Sequence, residues 1–60
     1  MEDIVVTVVE LPEAISSGET VQEALINIAD AIDEAFAGRR NRGEEIPQVR
    51  TVQLWREDEL

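Results

Sequence analysis

The sequence predicts a small two-layer α+β unit, with one helix lying across an antiparallel or mixed sheet. Three observations predict it. Residues 18–36 carry a helical apolar period with marked ends, residues 4–9 are a run dominated by β-branched side chains, and residues 49–56 alternate loosely after the helix. The order is strand, short strand, helix, strand, over residues 4–11, 14–17, 20–37 and 49–56, in a single domain spanning residues 1–60.

The first strand rests on Ile4-Val5-Val6-Thr7-Val8-Val9, since β-branched residues favour extended backbone. Its two faces, Ile4/Val6/Val8/Glu10 and Val5/Thr7/Val9/Leu11, are both largely apolar. An antiparallel sheet with one helix on it should keep its outer face polar, so two apolar faces imply that something covers the second. Val5 and Val9 are therefore candidate contacts with another subunit. Pro12 cannot donate to a ladder and marks an edge, a kink or a turn. Ala14-Ile15-Ser16-Ser17 is a second short strand, ended by Gly18, which lets the backbone turn sharply into the helix.

The helix opens on a capping box. Thr20 offers its hydroxyl to an orphan amide, and Glu23 reaches back for another. Val21, Leu25, Ile28, Ile32 and Phe36 follow at spacings of four, three, four and four, which holds them on one face of a 3.6-residue helix. Ala24, Ala29 and Ala35 flank that stripe, and Glu23, Asp30, Asp33 and Glu34 lie opposite. Gly38 is placed to end the helix in a left-handed cap. Ile26 stands off the stripe, beside Ala29, as a candidate contact.

Residues 38–45 form a polar loop with a glycine near each end. Arg39, Arg40 and Arg42 complement the helix dipole there, and Glu44 and Glu45 neutralise them. Pro47 blocks further helix. The third strand places Arg50/Val52/Leu54/Arg56 on one face and Val49/Thr51/Gln53/Trp55 on the other. Trp55, the one large amphipathic ring, either anchors an interface or completes the core. The tail 57–60 is expected to fray.

Sixty residues bury a small share of their surface, and without cysteine no disulfide can compensate. Oligomerisation is the remaining staple. Residues 1–37 hold nine acids and no base, residues 38–60 five acids and five arginines, and the net charge is −9. Such a charge repels phosphate backbones, opposes direct nucleic-acid binding and suits a basic partner. The acidic N-terminus and short apolar run do not make a signal peptide, and no segment is long enough to span a bilayer, so the chain is expected in the cytoplasm.

Catalytic chemistry is hard to assemble. Histidine and cysteine are absent, which removes the usual base–nucleophile pairs and the Cys/His zinc sites. Ser16-Ser17-Gly18 has no base near it in sequence, and Gly18 alone is no phosphate loop. Asp30, Asp33 and Glu34 share a helix face, as a solvated face requires without any metal. The expectation is no enzyme, no metal and no cofactor.

A resemblance adds to this. Glu10-Leu11-Pro12, then Ile15-Ser16-Ser17-Gly18-Glu19-Thr20, then Glu23-Ala24-Leu25-Ile26-Asn27-Ile28 with Ala31-Ile32, then Gly43-Glu44-Glu45-Ile46-Pro47 is similar to the N-terminal domain of HicB-type antitoxins. Leu11, Pro12, Gly18, Thr20, Glu23, Leu25 and Asn27 carry the motif. The resemblance implies a partial ribonuclease-H-like fold without its catalytic acids, dimers or higher assemblies, and neutralisation of a small basic mRNA-cleaving toxin. The chain departs from the pattern in having Glu13 where the family has glycine. It also lacks the family's preceding strand, which implies an open edge that another chain could fill. Without the family's C-terminal DNA-binding module, operator binding does not carry over. Three functions follow: a HicB-like antitoxin, an orphan self-assembling structural or regulatory module, or, against the charge, a ribbon-helix-helix DNA binder.

Overall fold

The computed structural model describes residues 4–56 and Asp58. It is an α+β fold in which one helix packs on a three-stranded, wholly antiparallel sheet. The elements are β1 (Ile4–Val8), β2 (Ile15–Gly18), α1 (Val21–Asn41) and β3 (Val52–Arg56), in the sheet order β2-β1-β3. The expected frayed tail lies, Asp58 apart, outside the described residues.

β1 is central because its β-branched run can be covered on both sides. It is shorter than residues 4–11, because Leu11 N–H turns back to Val8 O at 3.3 Å and Ala14 N–H to Leu11 O at 2.9 Å. That double turn drops Leu11 and Ala14 into the core and leaves Pro12 at the exposed bend. Opposite residues share a sheet face, so Ile4, Val6 and Val8 face the helix with Gly18, Ser16, Leu54 and Val52. The core is Ile4, Val6, Val8, Leu11, Ala14, Ala24 and Ile28, with Ala31, Ile32, Ala35, Phe36 and Val49 packed partly against it.

The helix begins where the capping signals place it. Glu23 N–H donates to Thr20 Oγ1 at 3.1 Å. The returning Glu23 carboxylate accepts from Glu19 N–H, one residue before the cap, at 3.4 Å. The helix does not end at Gly38. It runs a further turn, in which Arg39 and Arg40 have good helix propensity, to Asn41. Gly43, at φ 71°, takes the left-handed position. Gly43 N–H donates to Arg40 O at 3.1 Å and Glu44 N–H to Arg39 O at 2.8 Å, the two bonds of a Schellman ending. Residues 38–41 are therefore helix, not loop.

The helix is also rotated from the expected stripe. Its buried residues are Ala24 and Ile28, while Val21 and Leu25 are exposed. Gly18 explains the rotation: a Cβ there would lie 2.6 Å from the Ala24 backbone nitrogen, so helix and β2 meet backbone to backbone. Only a line of small residues permits that approach, and it turns Leu25 aside. Asn27 fixes the same side, its Nδ2–H donating to Ser17 O at 2.8 Å. The helix thus lies mainly over β2 and secondarily over β1.

β3 is shorter than residues 49–56, and all five of its residues are exposed. It pairs with the side of β1 that β2 leaves free, the place a preceding hairpin strand would take. The open edge expected on β1 is therefore filled by the chain itself, and among the described residues the free edges belong to β2 and β3.

Candidate functional site

Three surfaces carry the residues singled out in the sequence. The outer sheet face holds Val5, Thr7, Ile15, Gln53 and Trp55, continued by Val9 opposite Thr51. Trp55 sits opposite Val5 and donates its indole N–H to Thr7 Oγ1 at 3.0 Å. The ring therefore spans the middle of this face and leaves Val5 and Thr7 half-buried. Part of the cover expected from another subunit comes from the chain's own tryptophan. Val9 and Ile15 remain exposed at the margin.

The second surface is the polar side of α1. Glu23, Asp30, Asp33 and Glu34 are all exposed. Among the described residues, no group of three or more acids is placed to hold a metal ion, and no buried side-chain polar atom lacks a partner. Two of the arginines at the C-terminal end of the helix, Arg39 and Arg42, are engaged. Arg39 makes a two-point contact with Glu13, Nε to Oε2 at 2.6 Å and Nη2 to Oε1 at 2.9 Å. Arg42 pairs with Glu44, Nε to Oε2 at 2.8 Å. The Arg39 hydrogen bond pulls the Glu13 carboxyl from 4.5 down to about 2, and each guanidinium is raised by its carboxylate partner. The Glu13–Arg39 pair ties the β1–β2 bend to the last helical turn, across 26 positions of sequence.

The third surface was not anticipated from the sequence. Val52 and Leu54 face the helix side of the sheet, opposite Val8 and Val6, yet are 41% and 46% exposed. Beside them rises the flank of α1 that carries Val21 and Leu25, at 46% and 42% exposure, while Ile26, at 59%, lies on the helix side turned away from the sheet. Leu25 lies about 160° around the helix from Asn27, so it faces away from β2 and toward the β3 side. Strand and flank form the floor and wall of one open apolar trough. The signal for it was present in the alternation of Val52 and Leu54, combined with the fact that one helix covers about two strands.

Glu10 anchors the start of β3. Its Oε1 accepts from Arg50 N–H at 3.1 Å and Thr51 N–H at 2.9 Å. Those two backbone donors, Thr51 first, lower its carboxyl from 4.5 to about 2. Of the motif residues, Leu11, Gly18, Thr20, Glu23 and Asn27 each hold the β1–β2–α1 junction, Pro12 lies at its bend, and Leu25 alone points out of it. Among the described residues, no helix is long and apolar enough to cross a membrane. The chain matches no protein-family model, and comparison with curated proteins and with solved structures likewise returns no match.

Proposed function

We propose that this chain is a non-catalytic protein-interaction module that acts in the cytoplasm as HicB-type antitoxins do, binding and neutralising a small basic mRNA-cleaving toxin. The observation that carries this reading is the exposed carboxylate side of α1. Asp30, Asp33 and Glu34 stand at the surface on a helix whose first half has no base, in a chain of net charge −9. Such a surface steers a basic protein toward it and raises the rate of encounter. The resemblance through residues 10–47 supplies the identity of the partner class, and the junction residues it rests on are those that hold β2 to α1.

The orphan self-assembling module is the second reading, and the open trough beside β3 favours it. The ribbon-helix-helix reading gains no support, because β1 and β2 pair within one chain and the charge opposes DNA.

The test is affinity capture with this chain as bait, at low and at high salt, with bound small basic proteins identified by mass spectrometry. The expected result is a complex of fixed ratio that weakens as salt rises and fails with Asp30→Lys/Asp33→Lys/Glu34→Lys. Recovery of this chain alone at low salt, or a complex indifferent to the three reversals, contradicts the reading.

A further inference from the structure

We propose that the trough between α1 and β3 is a self-association surface, in which each copy's helix lies over the other copy's β3. Four apolar residues of one chain are left bare on the two walls of this trough, Val21 and Leu25 on the helix and Val52 and Leu54 on the strand, and Ile26 is bare on the helix side turned away from its own sheet. A helix is about 10 Å across and strands are about 4.8 Å apart, so α1 covers two strands and leaves a strip that a second helix fits. The chain has no second helix among its described residues to place there. A second copy has one, with the flank that this trough needs.

The symmetry follows from the fold. A two-fold axis parallel to the helices, set between them, puts each helix over the other copy's β3, with the two sheets outside. The helices then run the same way and meet along Leu25, Ala29, Ile32 and Phe36. Their spacing of four, three and four is that of the a/d seam of a parallel helix pair. Gly18, which packs against Ala24, lies in register with Ile4 and Arg56, so the Arg56 end of β3 is level with the start of α1. That level brings Ile26 over Leu54 of the second copy. The arrangement gives Ile26, the most exposed large apolar residue of the helix, an apolar neighbour.

Glu23 and Glu34 lie on the β2 side of the helix, turned away from the second copy, while Asp30 and Asp33 flank Ile26 on the side that faces its β3. A standard interface takes about 800 Å² from each partner, roughly a fifth of this chain's 4264 Å². Each copy still carries −9, so salt should strengthen the pairing, the opposite of its effect on a basic partner. Failure of the toxin reading therefore leaves this inference standing, and the reverse holds too.

Sedimentation of the purified chain at micromolar concentration tests it first. The expected mass is twice 6.7 kDa, with association tightening as salt rises. Ile26→Lys and Leu54→Glu, both at half-exposed positions, should each weaken pairing at least about tenfold while helical circular dichroism persists. Mixing the two variants should restore it, because one of the two Ile26–Leu54 contacts becomes an ion pair and the other stays apolar. Cysteine probes read the same contact without charge, since the chain has no cysteine of its own. Under mild oxidation, Ile26→Cys mixed with Leu54→Cys should give a mixed disulfide dimer, and Ile15→Cys on the outer face should give none. A monomer at every salt concentration, no rescue on mixing, or cross-linking through Ile15→Cys in place of Ile26 and Leu54 overturns the inference.

Discussion

The two sides of β1 are built differently. On one side, β2 and α1 approach so closely that Gly18 has no room for a methyl group, and Asn27 stitches helix to strand. On the other, β3 has the same antiparallel ladder yet no buried residue. Ladder pairing is thus no shorter on the β3 side, with five residue pairs against four, and yet burial is less there. Because apolar area removed from water is the dominant favourable term, the β2 side holds the fold together and the β3 side is a surface. The difference teaches that a ladder alone does not make a core.

The largest expected effect lies on the tight side. Leu11→Ala, at a fully buried position, should cost about 2–5 kcal/mol and unfold much of so small a chain, seen as a lost thermal transition. Gly18→Ala should follow at about 1–3 kcal/mol, because the added methyl meets the Ala24 backbone and not a side chain that can move. An unchanged melting midpoint for Gly18→Ala would break the contrast at its source. Thr20→Ala should cost about 1 kcal/mol through the lost cap. The smallest effect is on the open side: in dilute solution Leu54→Ala should change stability by about 0.5 kcal/mol or less.

Acid sharpens the comparison. The carboxyls of Glu10 and Glu13 sit at about 2 in the folded chain, below their ordinary 4.5. The stability they add is therefore present above about pH 4.5 and is lost as pH falls through about 2. Glu10 holds the start of β3, so the Arg50 and Thr51 amide resonances should move with a midpoint near 2. Their indifference to acid would remove the anchor.

Much of the tight side was legible in the sequence. The capping box, the β-branched strand and the short strand ending at Gly18 are local signals, and each marks its element. The helix end was not legible, because Gly38 and Gly43 are both acceptable stops and the choice falls to the Schellman bonds of Gly43 and Glu44. The helix rotation was missed because an apolar stripe gives a face but not the depth of contact, and backbone approach at Gly18 outweighed the larger side chain of Leu25. The third surface needed the pairing partner of β3, and the Glu10 and Glu13 contacts join positions 40 and 26 residues apart. No local pattern encodes those.

Amide hydrogen exchange along β3 and β2, followed against protein concentration, tests the central contrast most directly. In dilute solution the β3 amides should exchange far faster than those of β1 and α1. Raising the concentration should slow β3 and leave the β2–α1 junction unchanged. Equal protection of β3 and β2 in the dilute monomer would contradict the account.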